Sequence, residues 1–343
     1  MILISNERDI KQLRSSVLKK MRQLDYESLK IWVRNLGAKP VRIAIMTITR
    51  FSYQAGRNGD FDVIEFLIAH KADKLYIFKL LAEQGHLEAL IKLNQNYSLD
   101  ITRHTEGKSA LISAIRNKHL DVVKYLYEQG IKIEESILTA VEKNSVEVVR
   151  YLLEQGEGLN QKHSKAINFA SQNGYLEIVK LLVEQGDDTH LSNSYVVRAA
   201  AENGHLDTLK YLVEKGADLS QGKEQLVLWA AHGGHNHILQ YLKEQGVDLR
   251  LKNDSALVWA ADNGKEDTVK YLVEQGADIR VNNDDVLLSA TLSGSLDFVK
   301  YVVEQGKDTE TKKELATKLK NISRRKKILD YAEEVLKNDR NHN

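Results

Sequence analysis

Apolar residues in this chain keep a helical rhythm that restarts at a nearly fixed interval. In residues 251–280, "LKNDSALVWAADNGKEDTVKYLVEQGADIR", Val269, Leu272 and Val273 stand at i, i+3 and i+4, one stripe of an amphipathic helix. Glu266 and Asp267 open that helix with acids, which suits the positive end of its dipole. Gly276 supplies the left-handed residue that ends it. A shorter helix is predicted before it, over Ala256–Asp262, with the N-cap types Asn253, Asp254 and Ser255 ahead of it. Asn263 and Gly264 between the two segments have the turn chemistry that a tight helix–helix connection needs. The pattern predicts helix, turn, helix and a short loop.

That unit recurs. The string "VKYLVEQGADI" (269–279) has close copies at 123–133, 149–159, 179–189, 209–219, 239–249 and 299–309. Its closing glycines, Gly130, Gly156, Gly186, Gly216, Gly246, Gly276 and Gly306, are spaced by 26 residues and then by 30 five times. A second set of turns precedes each copy, at positions near 59, 85, 118, 144, 174, 204, 234, 264 and 294. One such hairpin cannot bury its apolar stripe alone, so the copies must stack.

The strings "AA-x-NG-H-L-[ED]-x-V-K-x-L-x-E-x-G-A-D", as in Ala200–Asp218, resemble the ankyrin repeat family. In wording and unit length they look most like the arrays of giant DNA viruses of the mimivirus type. The resemblance implies an all-α, ankyrin-type helix-turn-helix solenoid. It covers about nine repeats over 41–306, with an N-terminal helical cap over 1–40 that includes a degenerate unit at 28–38, and C-terminal capping helices and a tail over 307–343. The chain departs from the family in two respects. The "TPLH" opening of the first helix is replaced by "KAIN" (165–168), "YVVR" (195–198), "QLVL" (225–228), "SALV" (255–258) and "DVLL" (285–288). Each unit also lacks about three residues of the β-hairpin finger, so short inter-repeat loops and reduced β-hairpins are expected. The groove lined by the first helices then becomes the expected contact surface, near 90 Å long at about 10 Å per unit.

Composition narrows the partners. The chain has 343 residues with 1 Pro and 0 Cys, no linker-like junction and no apolar run approaching a membrane span. An intracellular protein is expected, in the host cytoplasm if the origin is viral. Residues 1–50 carry 11 Lys/Arg against 4 Asp/Glu, and residues 307–343 carry 11 against 7, which leaves 51–306 at −10. An acidic body repels phosphate backbones, so nucleic acid is disfavoured along it.

No phosphate-binding loop, dinucleotide fingerprint, metalloprotease helix or nucleophile elbow occurs, so no enzyme, cofactor or small-molecule substrate is expected. "HGGHNH" places His232, His235 and His237 in one turn, a spacing that permits zinc. The stronger reading makes His235 the family's turn histidine and the other two exposed. Tyr125, Tyr151, Tyr211, Tyr241, Tyr271 and Tyr301 hold one register, which fits rings packed between neighbouring helices with their hydroxyls in water better than a base-stacking platform. Lys270/Glu274-type pairs fit a solvated face. Arg324-Arg325-Lys326-Lys327 precedes the amphipathic "ILDYAEEVLK" and reads as part of a capping helix, with nuclear targeting as the other option.

Trp229 and Trp259 hold one register of adjacent units, and at about 100° per residue Trp259 falls opposite the core residue Leu257. Inter-repeat packing explains such rings, and so does a groove anchor for a partner. With them, Phe169, Arg198, Asp262 and His232 form the set expected to meet a protein partner. The expected function is a monomeric, non-catalytic scaffold that holds another protein in its groove. The alternative is an adaptor that recruits substrates to a ubiquitin ligase.

Overall fold

The computed structural model describes residues 45–69, 71–157, 161–185, 194–217, 222–306 and 308–337. The expected N-terminal cap over 1–40, its degenerate unit and Gly186 lie outside the described residues. Among the described residues there are 20 helices and no strand, as expected for fingerless repeats. The chain divides into two compact units, 1–162 and 163–343.

Unit 1 holds α1 (Ile45–Asn58), α2 (Phe61–Ala69), α3 (Lys74–Gln84), α4 (Leu87–Tyr97), α5 (Thr105–Arg116), α6 (Leu120–Glu128), α7 (Ser136–Glu142) and α8 (Val146–Glu154). Unit 2 opens with α9 (Gln161–Gln172), whose first residues straddle the boundary, and α10 (Leu176–Gln185). It continues through α11 (Ser194–Glu202), α12 (Leu206–Glu214), α13 (Lys223–Gly233), α14 (Asn236–Glu244), α15 (Leu251–Asp262) and α16 (Glu266–Glu274). It closes with α17 (Val281–Ser293), α18 (Leu296–Glu304), α19 (Thr309–Ile322) and α20 (Lys326–Lys337). Odd-numbered helices are the first of each pair.

All nine anticipated turn positions adopt positive φ. Seven are glycines, and Lys118 (φ 63°) and Asn144 (φ 49°) take the same conformation without one. The turns are also bolted to their neighbours. In unit 1, His86 Nε2 lies 2.6 Å from the Arg57 carbonyl, and His119 Nε2 lies 3.1 Å from that of Glu83. In unit 2, His205 reaches the Gln172 carbonyl at 3.0 Å and His235 that of Glu202 at 2.9 Å. Every one of these carbonyls stands two residues before a turn glycine, and its amide partner lies beyond the helix end, so the imidazole supplies a donor the helix lacks. Arg325 does the same for the last turn, donating from Nη2 to the Leu292 carbonyl at 3.2 Å, which seats α20 against the preceding pair.

The core follows the stripes. Leu257, Ala260 and Ala261 of α15 and Val269 and Leu272 of α16 are buried, and Thr268 joins them by donating from Oγ1 to Asn236 Oδ1 at 2.7 Å. Val273 is only half-buried.

Three expectations need correction. Asn253, Asp254 and Ser255 do not cap a helix. Lys252, Asn253 and Asp254 form a left-handed turn (φ 53°, 57° and 55°), and Asp254 is buried. Its carboxylate accepts from Arg250 Nε at 3.3 Å and from the Asp278 amide at 2.9 Å, tying one inter-repeat loop to the next. Its bonds to Arg250 and to the Asp278 amide explain why an acid stands at 254, directly ahead of the "SALV" that replaces the family's "TPLH". Gly306 is not left-handed, unlike Gly276 at φ 94°, because the chain there turns into the longer helix α19 rather than into another repeat loop. Finally, the tyrosine hydroxyls do not all reach water. Tyr125 Oη accepts from Asn94 Nδ2 at 2.9 Å, and Tyr211 Oη is shut off from solvent.

The tyrosine rings do bridge neighbouring helices. Lys210 Nζ lies 5.5 Å from the Tyr241 ring, Lys270 5.7 Å from Tyr301 and Lys300 5.6 Å from Tyr331, so each lysine covers the ring of the following pair. Burial and then the preceding pair's Glu304 push the Tyr331 hydroxyl up to about 12. Lys270 also lies 3.8 Å from Asp267, so its ion partner is the acid one turn back.

Candidate functional site

The first helices of unit 2 present their second face away from the core, and the expected contact residues gather there. Each sits in a register that repeats every 30 residues: Ala199, Trp229, Trp259 and Ser289 in one row, and Arg198, Leu228, Val258 and Leu288 beside it. Glu202, His232, Asp262 and Leu292 form a third row. Helical geometry puts Trp259 opposite Leu257, and the structure leaves both tryptophans half-buried while Leu257 is fully buried.

The two indoles meet edge to face, with centroids 5.3 Å apart and planes at 83°. His232 completes a three-ring cluster, 5.8 Å from Trp229 and 6.1 Å from Trp259. It is therefore a member of α13 packed on both tryptophans, which corrects its reading as an exposed turn residue. Arg198 places its guanidinium 4.8 Å from the Trp229 ring and 4.7 Å from that of Tyr195. Ser289 donates its hydroxyl to Asp262 Oδ1, so the next helix continues the row with a polar clasp. Beyond it Leu288 and Leu292 are 43% and 69% exposed, which extends the apolar strip to a third helix.

Phe169 does not join this cluster. Ala199 occupies the intervening register, and the Phe169 ring lies tilted against Tyr175 at 6.4 Å. Tyr195, Leu288 and Leu292 were missed by sequence reasoning. Aligning the units row by row would have found them, because each departs from what its row holds elsewhere.

The three histidines of "HGGHNH" divide their roles. His235 lies on the Glu202 carbonyl and His237 on that of Gly204 at 3.0 Å, with the two rings 5.8 Å apart. Burial, more than the carbonyl contact offsets, lowers the pKa of His235 and keeps it neutral. Among the described residues no group of three His, Cys, Asp or Glu side chains is arranged to hold a metal ion. No helix among them is long and apolar enough to cross a membrane.

A helix-turn-helix stack with an aromatic first-helix face defines an interaction-repeat class. A family model of three ankyrin repeats matches residues 52–137, 134–193, 197–285 and 227–313, and the chain belongs to the ankyrin repeat family. Such repeats are in general protein-interaction modules rather than enzymes. Among solved structures the chain is similar to the human ASB11 ankyrin repeat domain, at 20% identity and a TM-score of 0.45, over 62% of this chain and 96% of that one. No curated protein matches.

Proposed function

We propose that the first-helix face of unit 2 captures a protein partner, with Trp229 and Trp259 as the anchoring pair. The observation that carries this reading is the pair itself: two large rings, packed on each other across adjacent repeats and half-buried, on the first-helix face opposite the fully buried Leu257. Indoles in such positions contribute disproportionately when a partner covers them. The rows around them differ from repeat to repeat, as a surface that recognises one segment requires. The protein acts without catalysis, by burying apolar side chains on a preformed face, so little ordering cost is incurred on binding. In this reading it works as an intracellular monomer. The wording of its repeats supports an origin among giant-virus arrays.

The test is the double variant Trp229→Ala/Trp259→Ala. An edge-to-face aromatic pair contributes about 0.5–1.5 kcal/mol beyond its burial, and each half-buried indole adds its own burial. The thermal melt should therefore fall yet stay cooperative, while the folded protein loses binding of a selected peptide or protein partner. A collapse of the melt with binding retained by the folded fraction would show the rings to be structural.

A further inference from the structure

We propose that Arg198 is the anchor for a side-chain carboxylate on the bound segment, so that the partner carries one acidic residue followed by spaced apolar ones. This inference rests on the docking reading above and adds the chemistry of the occupant.

Residues 163–306 hold 13 Lys/Arg and 21 Asp/Glu, so acids outnumber cations in this stretch. Accordingly, Arg250 pairs with Asp254, Lys252 with Glu224, Lys180 with Glu177 and Arg280 with both Asp284 and Glu314. Of the three arginines in this stretch, Arg250 and Arg280 are ion-paired and Arg198 is not. Among the described residues it has no carboxylate and no hydrogen-bond acceptor, and its Nε is buried without a partner. Glu202 stands one turn along the same helix, close enough in sequence for an i, i+4 pair. The guanidinium instead lies between the Tyr195 and Trp229 rings. Flanking rings fix the plane of the fork and strip water from its faces. Both effects favour a planar carboxylate arriving from outside, as a bidentate or single charge-assisted bond.

The rest of the face sets the remaining sequence. Adjacent helices in such stacks lie about 8–10 Å apart, which an extended segment covers in about three residues at ~3.3 Å each. The side chains lean closer than the helix axes, with Arg198 4.8 Å from the Trp229 ring and that ring 5.3 Å from Trp259. A segment with its acid at Arg198 therefore places an apolar side chain against the tryptophan pair within about three residues. A further apolar side chain, beyond the tryptophan pair, meets Leu288 and Leu292. Glu202, Asp262 and Asp285 share this side of unit 2, so a second acid in the segment is repelled. The occupant is one acid, then spaced apolar residues beginning within about three positions of it, in an otherwise neutral or basic stretch.

A random dodecamer library displayed at the N-terminus of a phage coat protein, panned on the full chain, tests this. Fusion through the C-terminus leaves only side-chain carboxylates on offer. Enriched clones should carry one Asp or Glu ahead of a large apolar residue and within about three positions of it. As synthetic peptides they should lose about tenfold or more in affinity when that acid becomes Asn or Gln, the scale of a charge-assisted hydrogen bond. On Arg198→Gln the acidic peptide and its amide counterpart should bind alike, and Arg198→Lys should fall between. Clones without an acid, no enriched clones, or an acid effect that survives Arg198→Gln would each overturn the proposal. Clones that respond to Arg198→Gln yet bind Trp229→Ala/Trp259→Ala unchanged would overturn the docking reading instead. Clones lost on the tryptophan variant but indifferent to their acid would leave the docking reading standing and remove only the carboxylate anchor.

Discussion

Within unit 2 the second helices and the first helices are built from the same period and come out as opposite kinds of surface. Along α12, α14, α16 and α18 one sentence is repeated: a buried aliphatic stripe, a Tyr at a fixed register and, except in α14 where Gln240 stands, a Lys that covers the next ring. Along α11, α13, α15 and α17 the buried side is equally uniform, but the outer rows read Ala-Trp-Trp-Ser, Arg-Leu-Val-Leu and Glu-His-Asp-Leu. Repetition is imposed where a side chain must fit the neighbouring unit, whose shape is itself repeated. The outer rows meet their neighbours only through side chains at the surface, as in Trp229 with Trp259 and Asp262 with Ser289, so no single residue type is enforced and variety accumulates on the face left for a partner.

Three substitutions break or sharpen this contrast. Leu242 is fully buried on α14, so Leu242→Ala should cost about 2–5 kcal/mol. The loss will appear as a lower denaturant midpoint, with peptide binding by the folded fraction unchanged. Next is the carboxylate row Glu224, Asp254, Asp284 and Glu314, whose ion pairs link neighbouring first helices and the loops ahead of them. Asp284 accepts a bidentate pair of bonds from Arg280 at 2.7 and 3.1 Å and a further one from Lys318 of the last helix pair. Burial alone would raise its pKa, but the bonds from Arg280 and Lys318 outweigh burial and hold it below the ordinary carboxylate range. A depressed carboxyl contributes stability above its unfolded pKa, near 4, and that contribution disappears as pH falls through the lower folded value. Asp284→Asn should therefore cost about 1–3 kcal/mol at pH 7 and flatten the acid limb of the stability curve, read by urea melts at a series of pH values. The smallest effect is expected for Tyr271→Phe, within about 0.5 kcal/mol, because the half-buried ring does the packing. A large loss there would mean the hydroxyl row is more than scaffold.

Fold was legible in the sequence to a depth that the site was not. Period, turn positions and the buried stripe all come from local rules, each expressed within one unit and confirmed by its copies. Trp259 could be placed opposite Leu257 by rotation about the helix axis alone. Its contact with His232 could not, because that depends on how α13 and α15 lie together. Phe169 shows the limit most clearly: it shares the tryptophans' register, yet Ala199 in the intervening helix separates it from them. Asp254 escaped for another reason. It looks like an N-cap in one dimension, and only its bonds to Arg250 and to the Asp278 amide, 24 residues on, reveal a loop tie. Arg198 was noticed for its register alone. Its lack of an acceptor is a property of the assembled surface.

The joint made by Arg325 has a consequence for how such chains change length. His86, His119, His205, His235 and Arg325 all engage the same carbonyl position of the preceding turn, although one of them is not histidine and does not belong to the repeated string. The socket asks only for a donor of suitable reach. Duplication or deletion of a whole 30-residue segment by recombination would therefore present the terminal helices with an acceptor they already fit. A gene of this kind can gain or lose recognition modules in one step, without a compensating mutation at its end.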